Sequence, residues 1–245
     1  MKLKSLKGLI TATALCASVS LAGAQSMFDN FDSYTLGSIH GQGGWEGWTG
    51  TAGVAGAVST DQASSGTQSL RLVAGQDTVR PFSGVTSGLW TLSLQQYIPS
   101  ISSGSTWVIL MNGYPVNLNW SVQVLADFDN NLIGVFDGGG TLQGTPLALL
   151  KDQWVDMRFE INLDANSVSS FYNNTLLGTH AWQSGGFNEL AALDLYPDED
   201  TAGGTAQVGP VFYDNVQLAL VPEPSTLGLL LLGGLAVLYR FRKRA

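Results

Sequence analysis

Residues 154–163 read WVDMRFEINL, a segment in which apolar and polar side chains alternate without a break. A period of two residues places successive side chains on opposite faces of a β-strand, so this segment predicts a half-buried strand. The side chains predicted to face the core are Val155, Met157, Phe159, Ile161 and Leu163. Asp-Ala-Asn at residues 164–166 and Asn-Asn at 173–174 are turn sequences, and they bound two further short strands at 167–172 and 175–179. The region therefore predicts an antiparallel meander.

The same pattern recurs along the chain. At residues 116–126 (VNLNWSVQVLA) the apolar set predicted for the core is Val116, Leu118, Trp120, Val122, Val124 and Ala126. Further strands are predicted at 69–73, 89–98, 106–112, 132–136, 190–196 and 211–220. We find no heptads and no internal repeat. About a dozen antiparallel strands in one chain of this length predict an all-β, two-sheet β-sandwich.

The amino terminus has the composition of a secretory signal peptide. Residues 1–7 carry three lysines, residues 8–21 are apolar, and Ala22 and Ala24 supply a small-residue cleavage site. Cleavage is expected before Gln25. The prediction is a signal peptide at 1–24 and a β-sandwich domain at 25–220.

The only cysteine, Cys16, lies in the signal segment, so no disulfide or thiolate metal site is expected in residues 25–220.

The predicted domain is strongly acidic. Residues 25–220 contain eighteen carboxylates and four cations, whereas the net charge of the full chain is −8. The four cations are Arg71, Arg80, Lys151 and Arg158. Such a surface repels phosphate backbones, which excludes nucleic acid as a partner and leaves neutral glycans, basic proteins and divalent cations open. Solubility of an exported protein is the simpler explanation of this charge.

Residues 221–245 read VPEPSTLGLLLLGGLAVLYRFRKRA. The opening motif is Val221, Pro222, Glu223 and Pro224. An uncharged run at 226–239 predicts a short transmembrane helix, and a basic flank of this kind stays in the cytoplasm. The basic flank consists of Arg240, Arg242, Lys243 and Arg244. Together these features resemble the PEP-CTERM sorting signal of Gram-negative bacteria. The resemblance implies transient membrane anchoring, removal of the tail by an exosortase, and delivery to the cell surface or extracellular matrix.

The ends of the domain resemble those of concanavalin A-like, laminin-G-like jelly rolls. The resemblance rests on residues 28–34 (FDNFDSY), 40–45 (HGQGGW) and 212–218 (FYDNVQL), and residues 154–182 resemble the late strands of that fold. It implies that the first and last strands lie side by side and bring Asp29 or Asp32 near Asp214. A structural calcium ion at these three carboxylates is one candidate site, because Ca²⁺ prefers oxygen ligands. Residues 127–131 (DFDNN) are a second candidate, although an Asx-rich turn suits them better.

No catalytic residues are predicted. Asp156 and Glu160 lie four residues apart on one strand face, roughly 13 Å, which exceeds the carboxyl separations of glycosidases and favours an exposed charge ladder. The acids at 198–200 are expected in a loop, and the two histidines, His40 and His180, are isolated in sequence.

The tryptophans suggest a binding function. Trp45 and Trp48, in a glycine-rich segment, are candidates for stacking on sugar rings, with core packing as the simpler alternative. The leading hypothesis is an exported, non-catalytic surface or exopolysaccharide-matrix protein with a glycan-binding or structural sandwich. The alternatives are a diverged glycoside hydrolase or lyase, and an adhesin.

Overall fold

A computed structural model describes residues 26–198 and 208–221. The predicted signal peptide, the sorting segment after Val221 and two of the loop acids, Glu199 and Asp200, lie outside these residues. Within the described ranges, no helix has the length and apolar character needed to cross a membrane. The predicted span at 226–239 lies outside them.

The described residues form two antiparallel β-sheets that pack face to face, which confirms the predicted all-β sandwich. The nine-stranded sheet contains β1 (Met27–Asp29), β2 (Gly37–Ser38), β4 (Ala57–Ser59), β5 (Ser69–Leu72), β7 (Leu89–Tyr97), β12 (Trp154–Asn162), β13 (Ser167–Tyr172), β14 (Thr175–His180) and β16 (Val211–Leu220). The seven-stranded sheet contains β3 (Glu46–Gly47), β6 (Thr78–Pro81), β8 (Ser105–Gly113), β9 (Asn119–Asp127), β10 (Leu132–Asp137), β11 (Leu142–Ala148) and β15 (Ala192–Pro197). Two short 3₁₀ turns, Trp48–Gly50 and Ala52–Val54, follow β3.

The meander predicted from residues 154–179 is present as β12, β13 and β14. Its turns use asparagines in the left-handed backbone region, with φ of 51° at Asn166, 46° at Asn173 and 60° at Asn174. Asparagine tolerates this conformation because its short polar side chain bonds to the local backbone. The buried and exposed positions of β12 alternate as the sequence predicts.

The chain ends of the domain meet in the nine-stranded sheet. β1 pairs with β16, with Asp29 opposite Val216, so the first and last strands lie side by side as the jelly-roll resemblance implies. Strand β16 in turn pairs with β7 and β5. The core between the two sheets contains large aromatic side chains, among them Trp45, Trp90 and Trp182.

Strand β9 differs from the prediction at its start. It begins at Asn119, so Val116 and Leu118 lie in the preceding loop, 73% and 38% exposed, and the prediction that they face the core is wrong. Leu110 pairs with Val122, whereas the next residue, Met111, pairs with Trp120. The register therefore contains an extra residue, Ser121, which is a β-bulge.

The bulge reverses the direction of one side chain. Val122 faces the core, and strict alternation would send Trp120 the same way. With Ser121 inserted, Trp120 lies on the outer face and is 37% exposed. The predicted core position of Trp120 is therefore wrong, for a reason that side-chain periodicity does not encode.

Candidate functional site

The outer face of the seven-stranded sheet contains a groove with a volume of about 570 Å³. Five aromatic side chains line it: Trp48, Trp107, Trp120, Phe136 and Tyr196. The remaining lining consists of Asp77, Ile109, Gln123, Leu125, Gly140 and Asp194. The surface is thus mostly apolar and aromatic, with a small number of polar groups, which is the usual composition of a ligand site.

The pairing of neighbouring strands brings the residues of this groove together. Trp107 on β8 lies opposite Tyr196 on β15 and opposite Leu125 on β9. Gln123 on β9 lies opposite Phe136 on β10. Because alternate residues of a strand share a face, side chains far apart in sequence form one continuous patch.

A small apolar cluster supports the groove from below. It consists of Val79, Ile109, Met111 and Ala192, all buried. The partly exposed side chains that pack on it are Trp48, Trp107, Tyr114 and Tyr196. This cluster is separate from the core between the sheets, so the groove aromatics have a packed base of their own.

Hydrogen bonds and ring contacts fix the aromatic walls. The Trp107 indole donates to Asp198 Oδ2 at 3.1 Å, and its ring centroid lies 5.9 Å from that of Phe136. On the other wall, the rings of Trp48 and Tyr114 lie 5.6 Å apart. The Tyr114 hydroxyl donates to Glu46 Oε1 at 2.6 Å. Burial, together with this bond, raises the pKa of Tyr114 well above its usual range, so the donor stays protonated.

Two carboxyl groups meet in the groove. Asp194 follows Leu193 on β15, is 3% exposed and pairs across the strands with Val79 and Ile109. The Asp77 side chain lies beside it and also lines the groove. Burial, and then the charge of Asp77, raises the pKa of Asp194 well above its ordinary value. Two neighbouring carboxyl groups disfavour ionisation of both, so the raised pKa of Asp194 favours a proton on the pair.

The structure separates the two tryptophans predicted to stack on sugars. Trp48 lies on the groove. Trp45 is buried in the core and donates its indole N–H to Asp29 Oδ2 at 2.7 Å, so its predicted stacking role is wrong. Trp107 and Tyr196 occupy ordinary strand positions, where the sequence gives no signal that distinguishes an outer face from the core, so the sequence does not predict them as groove residues.

The three carboxylates proposed for calcium bind protein donors. Asp29 Oδ2 also accepts the Tyr34 hydroxyl at 2.6 Å, while Asp32 Oδ1 accepts the backbone N–H of Thr67 at 2.7 Å. Asp214 Oδ2 accepts the backbone N–H of Ser64 at 2.8 Å. Among the described residues, no group of three or more acidic, histidine or cysteine side chains has an arrangement suited to a metal ion. Calcium binding stays a prediction, to be tested by whether millimolar Ca²⁺ raises the melting temperature.

The other candidates lie away from the groove. Asp127 Oδ1 accepts the backbone N–H of Asn130 at 2.9 Å, which is the predicted Asx turn. On the nine-stranded sheet, Asp156 accepts the Gln95 amide at 2.8 Å and Glu160 pairs with Arg158, as an exposed charge ladder would.

Comparison with known proteins identifies the carboxyl-terminal segment. Residues 220–244 match the PEP-CTERM protein-sorting motif, so the resemblance seen in residues 221–245 is confirmed. The motif marks an exported protein that is sorted through the membrane to the cell surface. A search of curated proteins gave no significant match.

Solved structures match the fold at low identity. A sialidase superposes with a TM-score of 0.54 at 10% identity over 80% of this chain. A cellulose-induced protein, Cip1, superposes with a TM-score of 0.51 at 12% identity, covering 79% of this chain and 96% of its own. A Trypanosoma rangeli sialidase gives 0.50 at 13% identity, over 76% of this chain and 30% of its own. The chain spans only 18% of the length of the first sialidase. The protein is thus a jelly-roll sandwich that carries a PEP-CTERM sorting motif.

Proposed function

We propose that this protein is an exported surface or extracellular-matrix component that binds a glycan in the groove of the seven-stranded sheet, without chemical conversion of the glycan. The observation that carries the proposal is the aromatic lining of the groove, above all Trp48, Trp107 and Trp120. Indole rings present flat apolar faces, and a pyranose ring presents a flat face of C–H groups that packs against them.

The polar groups of the groove suit sugar hydroxyls. The Gln123 side chain donates to the Asp137 carbonyl at 2.9 Å, which fixes the amide and leaves its oxygen to accept a hydroxyl. The Asp77–Asp194 pair offers further acceptor oxygens at the floor. A volume of about 570 Å³ lies within the range of small-molecule sites, roughly 300–1,000 Å³.

The acid pair is also the one observation that favours an enzyme, a diverged glycoside hydrolase or lyase. The two carboxyl groups are direct neighbours on the groove floor, whereas glycosidases hold their two carboxyl groups apart, about 5 Å in retaining enzymes and about 6.5–9.5 Å in inverting ones. Release of reducing sugar from a bound polysaccharide would establish the enzyme instead. An adhesin would use the same groove on a glycan of another cell.

The sorting motif supports the location. We propose that the chain has an exosortase as its processing partner, that the predicted helix at 226–239 anchors it in the membrane only transiently, and that the source is a Gram-negative bacterium. An acidic domain delivered to an exopolysaccharide-rich surface meets glycans at high local concentration, which fits a binding module of modest affinity.

The test is retention on the producer's own exopolysaccharide. Wild-type protein should be retained, and Trp107→Ala should lose most of the retention, because it removes one wall of the groove. Trp154→Ala is the matched control, since Trp154 is a partly exposed tryptophan on the opposite sheet, where it packs on Tyr97 with centroids 5.5 Å apart. Equal retention of both variants would contradict the proposed site, and no retention of the wild type would contradict the function.

A further inference from the structure

The charges of the groove all have one sign. Asp77 and Asp194 line it, and none of the four Lys and Arg residues of the described chain does. Each of those cations is bound elsewhere. Arg71 pairs with Asp61, Arg80 donates to the Pro81 carbonyl, Lys151 donates to the Phe128 carbonyl, and Arg158 pairs with Glu160. A carboxylate or sulfate on a glycan would therefore find no counter-charge here.

The floor of the groove retains an unused acceptor. Asp194 Oδ1 is buried and has no hydrogen-bond partner among the described residues. The other titratable groups that interact with Asp194 are Asp77, Tyr114 and Tyr213, and none of them is a cation. A buried acceptor is costly unless a donor reaches it.

We propose that the Asp77–Asp194 pair is a receptor for a protonated amino group, so that the groove selects a glycan containing a free amino sugar. The inference rests on the proposed function, because the aromatic walls must first hold the sugar ring. An ammonium group would donate a charge-assisted hydrogen bond to Asp194 Oδ1 and neutralise the pair. Its positive charge would also be attracted to the aromatic faces of the walls, such as Trp48 and Tyr196.

A matched ligand series tests this directly. The β-1,4-linked tetrasaccharides of glucosamine, N-acetylglucosamine and glucose share a backbone and differ at carbon 2, which carries an ammonium, an acetamide or a hydroxyl. Calorimetric titration of protein purified from cells that express the full chain should give a glucosamine tetramer affinity at least about tenfold higher than that of the glucose tetramer. Acidic tetramers of galacturonate should bind more weakly than either.

Single substitutions test whether Asp77 and Asp194 cause the preference for the glucosamine tetramer. Asp194→Asn keeps the shape of the side chain and should reduce the amine preference to less than about threefold, with little change in glucose tetramer affinity. Asp156→Asn removes one exposed carboxylate from the opposite sheet and should leave the preference intact, which separates a local contact from the overall charge. Asp77→Asn provides a second test of the same pair, and melting curves confirm folding.

The outcomes separate the inference from the proposed function. If the glucose or acetylated tetramer binds as tightly as the glucosamine tetramer, the amine receptor is excluded while glycan binding stands. If Asp156→Asn lowers the preference as much as Asp194→Asn does, the preference reflects net charge and the receptor is again excluded. If no tetramer binds, the amine receptor is excluded, and retention on the producer's own exopolysaccharide decides whether the proposed function stands.

Discussion

Asp77 and Asp194 place two carboxyl groups side by side in a groove that none of the described cations lines. Such a pair cannot ionise fully without placing two negative charges side by side in a partly desolvated space. A fold that needed only stability would gain from a neutral side chain at this position. The loss of stability from these adjacent carboxyl groups fits a ligand-binding role, because residues with strongly shifted pKa values cluster at functional sites.

The first prediction concerns pH and stability. The pKa of Asp194 is raised in the folded state, so the native protein binds its proton more tightly than the unfolded chain does. The stabilisation from that proton is present below about pH 4 and is lost as pH rises toward the folded pKa. Near neutral pH, the free energy of unfolding of Asp194→Asn should therefore be at least that of the wild type and exceed it by up to about 1 kcal/mol.

The measurement is the melting temperature of both proteins from acid to neutral pH. The advantage of Asp194→Asn should grow as pH rises. Tyr213, with its pKa raised to about 12, and Tyr114, also raised, stay neutral throughout. Asp156→Asn controls for the change in net charge. A difference between Asp194→Asn and wild type that does not vary with pH would contradict the assignment.

The second prediction tests how Trp120 is held. A Cβ atom at Gly138 would lie 2.0 Å from the Trp120 carbonyl oxygen, so Gly138→Ala must displace the strand that carries this tryptophan. Glycan affinity should fall about tenfold, equivalent to about 1.4 kcal/mol. Gly139→Ala is the neighbouring control, because its Cβ would meet only the Asp137 side chain, at 3.3 Å. Equal affinities of the two variants would argue that Trp120 takes no part in binding.

The third prediction separates Trp45 from the groove. Asp29 accepts the indole N–H of Trp45, the hydroxyl of Tyr34 and the backbone N–H of Phe31, so Asp29→Ala leaves three donors without their acceptor. Denaturant unfolding should show a loss of about 2–4 kcal/mol. Asp61→Ala, which breaks an exposed ion pair with Arg71, should cost no more than about 1 kcal/mol. If Asp29→Ala lowers the free energy of unfolding no more than Asp61→Ala does, the hydrogen bonds to Asp29 do not stabilise the core as proposed.

The fourth prediction concerns the sorting motif at residues 220–244. An apolar run of about 14 residues extends roughly 21 Å as a helix, short of a hydrocarbon core of about 30 Å, so it suits a transient anchor. Glu223→Ala should block processing and keep the full-length chain with the membrane, while the sandwich folds normally. Mass spectrometry of extracellular wild-type protein should find no basic tail. A C-terminus that retains residues 240–245 would falsify the exosortase route.

The sequence predicted the sandwich well and the residues of the groove poorly. Strict alternation at residues 154–163 needs no tertiary information, and β12 follows it throughout. Val116 and Leu118 deviate because β9 begins only at Asn119, and Trp120 deviates because a bulge at Ser121, which depends on pairing with β8, reverses its face. Asp77 and Asp194 are far apart in sequence, and only the pairing of β15 with β6 brings them together. Motifs within one segment could therefore be predicted from the sequence, whereas the groove, to which several strands contribute, could not.

The seven tryptophans provide the most direct test of glycan binding in the groove. Their indole N–H resonances can be followed by NMR in protein labelled with ¹⁵N-tryptophan and assigned with single Trp→Phe variants. Titration with fragments of the producer's exopolysaccharide should shift the signals of Trp48, Trp107 and Trp120. The signals of Trp45, Trp90, Trp154 and Trp182 should stay in place, since three of these side chains are buried in the core and one lies on the opposite sheet. Shifts at Trp154 with none at the groove tryptophans would contradict the account.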